Sequence, residues 1–201
     1  MTLNDHNPIA HFQKWFHEVD KAYPEDETNI MLLSTIGLDG YPKNRVVLLK
    51  RFTWEGFVFF TNYNSEKGKA IAANHNVSLH FNWSNAKRNV LILGKAHKIA
   101  SNLSDGYFDS RPQGSKIATW ASYQSDIILS REILDTRFRY YQNLFTNQDI
   151  PRPEYWGGYI IKPNYLEFKE YTTAKEYSDI TLYTLKADYS WSKHRKYDHN
   201  H

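Results

Sequence analysis

Arg45-Val46-Val47-Leu48-Leu49-Lys50 decides how this chain is read. Four apolar residues between two cations predict a strand buried on both faces, because such strands are written as unbroken apolar runs. Charge on the rims of a buried strand needs partners, so the pattern points to an anionic ligand reached from its ends. The next segments extend the idea. Phe57-Val58-Phe59-Phe60-Thr61-Asn62 reads as a second buried strand, and Ser65-Glu66-Lys67-Gly68-Lys69 as a helix start capped by Ser65. A capped helix N-terminus beside a lysine suits a phosphate. A core hairpin with surface lysines is the competing reading.

Outward from this centre, 31–36 predicts a strand and Leu38-Asp39-Gly40 a hairpin turn. Trp54-Glu55-Gly56 is another tight turn, so three successive strands form an antiparallel meander. Upstream, Asn7-Pro8 opens a helix that ends near Tyr23-Pro24, within residues 1–25. Downstream, the pattern predicts a helix over 65–74, an alternating strand over 77–83 and a strand over 88–96 whose Gly94 marks a bend. Helices follow over 101–110, with Ser101 as cap, and over 115–122 and 130–145. Strands are expected at 159–161, 164–168 and 180–185, and residues 187–201 form a flexible polar tail. The fold class is mainly β with helices (α+β), a single domain over 1–201 built as an antiparallel Greek-key split barrel.

Composition narrows the function. Of 201 residues, 41% are hydrophobic and 16% aromatic, enough for a core and for flat surfaces around a planar ligand. The net charge of +3 suits anionic small molecules and gives no strong footprint for nucleic acid. The absence of cysteine excludes disulfides, thiol catalysis and zinc–thiolate sites. The histidines lack metal-ligand spacing, and no P-loop or dinucleotide-binding glycine motif occurs. No apolar run has membrane-spanning length and the first residues lack a signal-peptide layout, so a soluble, cytoplasmic protein is expected.

Tyr107, Arg111 and Ser115 recur every four residues. Tyr107 and Arg111 are expected on one helix face, with Ser115 at the mouth of the next helix. All three donate hydrogen bonds, as a phosphate requires; a helix terminus with a surface arginine is the plainer alternative. Gln124-Ser125 adds an amide and a hydroxyl, or simply starts a loop. No nucleophile or carboxylate pair is legible from spacing, which points to chemistry carried by a cofactor.

Taken together, these motifs resemble the pyridoxamine 5′-phosphate oxidase family over nearly the whole chain, from about Phe12 to Phe168. The resemblance is carried by the 45–50 segment, Phe60-Thr61-Asn62, Ser65-x-Lys67, Tyr107-Phe108-x-Ser110-Arg111-Pro112, Ser115, Trp120, Gln124-Ser125 and Trp156-Gly157-Gly158. It implies a homodimeric FMN-binding split barrel with two FMN sites at the dimer interface. The implied reaction oxidises pyridoxamine or pyridoxine 5′-phosphate to pyridoxal 5′-phosphate, with oxygen as acceptor and hydrogen peroxide as product. By position, Arg45 and Lys67 would hold the FMN phosphate. Phe60, Thr61, Ser65, Gln124 and Ser125 would be further FMN contacts, and Val46, Val47, Leu48, Leu49 and Lys50 would lie along the flavin. Asn89 would be a shortened flavin contact where the family has Gln. Lys50, Tyr107, Arg111 and Ser115 would hold the substrate phosphate.

The chain also departs from the family. Glu66 stands where a second cation is usual. Glu167-Phe168-Lys169 replaces Glu-Phe-Trp, and Lys175, Tyr177 and Asp179 replace an Arg-x-His-x-Arg segment, leaving Lys175 and Tyr177 as the catalytic candidates. Three readings stay open: an atypical pyridoxamine/pyridoxine phosphate oxidase, a same-fold FMN oxidase of the phenazine-biosynthesis type, or a flavin or pyridoxal-phosphate binding protein with little turnover.

Overall fold

Asn7 caps the first helix, α1 (Pro8–Ala22), by accepting the Ile9 N–H at 2.9 Å. Its stripe of Ile9, Phe12, Trp15 and Val19 is buried and lies on the sheet. The computed structural model describes residues 7–122, 130–171 and 177–199. Phe12 is fully enclosed, with the rings of Phe52, Phe57 and Phe81 at 5.2, 4.8 and 5.1 Å.

His11, beside it, stacks on Phe168 at 3.9 Å and places Nδ1 3.2 Å from the Tyr183 hydroxyl. Burial, then the charges of Lys193, Lys14, Arg88 and Arg195, lower its pKa from 6.5 to about 4. A histidine held neutral in the fold stabilises fully above its unfolded pKa, and the contribution is lost as pH falls from about 6.5 to about 4. The expected loss is on the order of 3 kcal/mol. Urea unfolding at pH 7.5 and 4.5 checks it, since His11→Phe should flatten most of that difference.

The strands are β1 (Ile30–Ile36), β2 (Pro42–Leu48), β3 (Arg51–Thr53), β4 (Gly56–Asn62), β5 (Asn76–Trp83), β6 (Arg88–Lys98), β7 (Trp156–Tyr171), β8 (Tyr177–Leu185) and β9 (Trp191–His199). They follow the order β2-β1-β5-β6-β7-β4-β3, with β8 between β7 and β9. Every pairing is antiparallel. The helices α2 (Glu66–Ala73), α3 (Ser101–Asp109), α4 (Gln113–Ala121) and α5 (Arg131–Leu144) fill the connections. This is the expected split-barrel class.

Several local expectations are corrected. The central strand is Pro42–Leu48 rather than 45–50, and it is not buried on both faces. It lies at the edge of the sheet, so Val46 is 65% exposed and Leu48 37%. The meander is instead two hairpins. After β2, the Leu49 N–H bonds to Asn29 O while the Lys50 N–H bonds to Val58 O, so the chain leaves one hairpin for the next. β4 is almost wholly buried and pairs with the equally buried start of β7.

The expected strands 159–161 and 164–168 are one 16-residue strand. Pro163 is tolerated because it faces Gly94 at the register shift between Leu93 and Gly94. The expected tail contains β9, which pairs with β8 from Leu185–Trp191 to Tyr177–His199. Backbone pairing needs no apolar side chains, and charged residues are normal on an edge. Ser101 is inside α3, whose N-cap is Ala100.

Candidate functional site

α2 begins where β4 ends. Ser65 accepts the Gly68 N–H at 3.2 Å and donates to Asn62 O at 2.6 Å. Its hydroxyl therefore builds the helix start. A Cβ on Gly68 would come 2.1 Å from Tyr63 O, so only glycine lets α2 seat this closely. That seating fixes Lys67 near Arg45. Burial first, and then the Arg45 charge, lower the Lys67 pKa. Arg45 donates to Thr35 Oγ1 at 2.6 Å, and burial lowers its pKa too.

Glu66, the unexpected acid, is ion-paired to Lys43, which also holds Asp39 at 2.9 Å. The hydrogen bond to Lys43 is the main reason its pKa is lowered. Glu66 is thus occupied at the rim, and two half-buried cations remain side by side at a helix start. Such a pair fits an anionic phosphate.

A second cluster gathers on Trp156. Phe60 stacks on Tyr107 at 4.0 Å and on Trp156 at 5.3 Å. Arg111 sits 4.7 Å over the Trp156 ring and donates to Thr119 Oγ1 at 2.7 Å. Tyr107 and Arg111 do not share a helix face as expected, because α3 ends at Asp109 and Arg111 lies in the bend before α4. They converge through Trp156 instead. Arg111 and Ser115 line a cleft of about 260 Å³ with Asn62 and Thr119. Tyr107 and Lys50 line an adjoining groove of about 1010 Å³ with Phe60, Lys98 and Lys162. The four expected phosphate donors are therefore divided between two clefts that meet at the aromatic stack. Thr61 is buried on β4 opposite Gly157. Thr35 and Thr119, which brace the two arginines, carried no local signal, since a lone threonine in a strand or helix names no partner.

The remaining expected residues lie elsewhere. Asn89 and Lys169 are cross-strand neighbours on β6 and β7. The Asn89 Nδ2 donates to the Tyr171 hydroxyl at 3.1 Å, while its Oδ1 is buried with no hydrogen-bond partner among the described residues. Tyr177 opens β8, 43% exposed, and Asp179 pairs with Glu170 and Tyr197. Trp156 and Lys169 lie towards opposite ends of the 16-residue β7, roughly 40 Å apart along the strand. Gln124, Ser125 and Lys175 lie outside the described residues. No group of three or more metal-ligating side chains occurs among the described residues, and none of the described helices is long and apolar enough to cross a membrane.

A split barrel with paired cations at one helix start and an arginine over an aromatic stack defines the FMN-binding split-barrel class. Two solved structures share the architecture. PhzG from Burkholderia lata 383, in complex with tetrahydrophenazine-1-carboxylic acid, superposes with a TM-score of 0.89 at 22% identity, covering 98% of this chain and 97% of that one. A pyridoxamine 5′-phosphate oxidase-related, FMN binding protein from Nostoc punctiforme gives 0.75 at 13% identity, covering 98% and 99%.

Sequence similarity goes further. The profile described as pyridoxamine 5′-phosphate oxidase matches residues 17–145. The pyridoxine/pyridoxamine 5′-phosphate oxidases of Flavobacterium psychrophilum and Nostoc sp. are 49% and 44% identical, over 94% and 95% of this chain and 88% of each relative. The chain belongs to the pyridoxamine 5′-phosphate oxidase family, a family of FMN-dependent oxidoreductases.

Proposed function

We propose that the chain is an FMN-dependent oxidase of phosphorylated B6 vitamers, acting as a homodimer and releasing hydrogen peroxide. The observation that carries it is Arg111, braced by Thr119 over the Trp156 face and opening with Ser115 into one cleft. This is a preorganised cation for a phosphate on a planar substrate. FMN, when bound, supplies the two-electron acceptor, and for an amine substrate the net change is amine, oxygen and water to aldehyde, ammonia and hydrogen peroxide.

The chain's own residues bind and orient. Arg45 and Lys67 supply the charge for the FMN phosphate, and Thr61, Gln124 and Ser125 its further contacts. Lys50, Tyr107, Arg111 and Ser115 supply donors for the substrate phosphate, and the Phe60–Tyr107–Trp156 stack shields that end from water. The homodimer is supported by two features. Ile30, Ile36, Val46, Leu48 and Leu93 leave apolar side chains exposed across the sheet. The Arg111 end and the Asn89–Lys169 end of β7 are also too far apart to face one ligand within a single chain, so a second copy is needed to bring them together.

Oxygen uptake with pyridoxamine 5′-phosphate and pyridoxine 5′-phosphate tests the reading, and uptake with both is expected. The presence of Lys169, Tyr177 and Asp179 on the far side favours a second reading, the same oxidase chemistry on a different anionic ring. FMN binding without uptake on either vitamer would favour it or a flavin-binding protein with little turnover over the vitamer oxidase. For Arg111→Ala, loss of one charge-assisted contact should raise KM for the phosphorylated vitamer by about 10- to 100-fold, roughly 1.5–3 kcal/mol. Equal turnover of phosphorylated and unphosphorylated vitamers by the unaltered protein would remove Arg111 from this role.

A further inference from the structure

Asn89 is only half satisfied. Its Nδ2 donates to the Tyr171 hydroxyl at 3.1 Å, while its buried Oδ1 has no partner among the described residues. Buried acceptors are seldom left so, and each one calls for an explanation. The neighbouring residues show which way the amide faces. Arg88 and Glu170 bond each other, and Arg88 turns to Glu18 and the Trp15 ring on α1. Strand alternation then puts Asn89, Lys169 and Tyr171 on the opposite face of the sheet.

Tyr171 is itself held from two sides. Its N–H bonds to Lys87 O at 2.8 Å, and Lys169 Nζ stands 5.0 Å from its ring centroid. Here the phenol oxygen accepts from Nδ2, which leaves Oδ1 over. An asparagine amide offers two N–H donors at one end and a carbonyl acceptor at the other. With one N–H engaged by Tyr171, Oδ1 is the buried amide atom left without a partner among the described residues, and it is an acceptor.

We infer that Tyr171 is a positioning residue, orienting the Asn89 amide so that Oδ1 receives a ring N–H of the bound flavin. This rests on the FMN reading above. An oxidised flavin ring carries a single N–H, the imide at position 3, and its other heteroatoms at that edge are acceptors. One donor therefore meets one orphaned acceptor. Asparagine is one methylene shorter than the glutamine usual in the family, and the hydrogen bond to Tyr171 holds the shorter amide with Oδ1 open.

Titration of the apoprotein with FMN and with N3-methyl-FMN, followed by flavin fluorescence quenching, tests the inference. The unaltered protein should prefer FMN by about tenfold, the worth of one hydrogen bond. Tyr171→Phe should lose most of that preference. A tyrosine needed only for packing would weaken both flavins alike. Asn89→Ala, which removes the acceptor and leaves the ring on β7, should lose the preference as well, so the test survives if one variant fails to fold. Equal binding of the two flavins by the unaltered protein, or an undiminished preference in either folded variant, overturns the inference. Failure of the unaltered protein to bind FMN at all would instead overturn the function reading on which it rests.

Discussion

Arg45→Ala is expected to weaken FMN binding by about 10- to 100-fold, roughly 1.5–3 kcal/mol, while leaving the fold in place. The guanidinium is half-buried and braced by Thr35 Oγ1 at 2.6 Å, so it reaches the α2 start with little freedom left to lose on binding. Its charge adds to the burial that already lowers the Lys67 pKa. Two cations that repel each other are relieved by one anion, and removing either leaves a phosphate half matched. The measurement is the FMN dissociation constant by fluorescence quenching at fixed ionic strength. Riboflavin, which lacks the phosphate, should be bound equally by the variant and the parent. A loss as large for riboflavin as for FMN would show that Arg45 does not act through the phosphate.

The second large effect is on stability. Phe12→Ala should cost about 3–5 kcal/mol, as large-to-small changes at fully enclosed aromatic positions do. Phe12 joins α1 to three strands through a single ring, touching Phe52, Phe57 and Phe81. Neighbouring rings on three separate strands cannot all collapse into the cavity at once. Urea denaturation reads the change as a shift in midpoint. A cost under about 1 kcal/mol would mean that the site collapses and that α1 is held chiefly by Trp15 and Val19.

Much of the site was legible where chemistry is local. The Ser65 cap and Lys67 lie within one helical turn, and the capping role of Ser65 follows from helix-end geometry. Arg45 stood out as a cation in an apolar run. The Tyr107, Arg111 and Ser115 spacing was also visible, but for the wrong reason. Ser115 is in the first turn of α4, as expected, but the helix assigned to Tyr107 and Arg111 ends at Asp109, and it is Trp156, far along the chain, that brings those two together. Thr35, Thr119 and Tyr171 were invisible, since each matters only through a partner on another strand or turn.

Apolar runs, caps and turns set most of the element list: α1 from Asn7-Pro8, the turn at Leu38-Asp39-Gly40, the buried β4 and the long helix α5. These depend on neighbours within a few residues, and periodicity records them. Which strands pair depends on burial across the whole sheet, and no local pattern carries it. The edge position of β2 exposed a run that reads as doubly buried, and the mostly polar β9 found its place by backbone pairing to β8, with Trp191 packed on the core. The same distinction separates two parts of the candidate site. The cations Arg45 and Lys67 are each legible in their own segment but meet only when α2 seats against the sheet, and the half-satisfied amide of Asn89 exists only because β6 and β7 lie side by side.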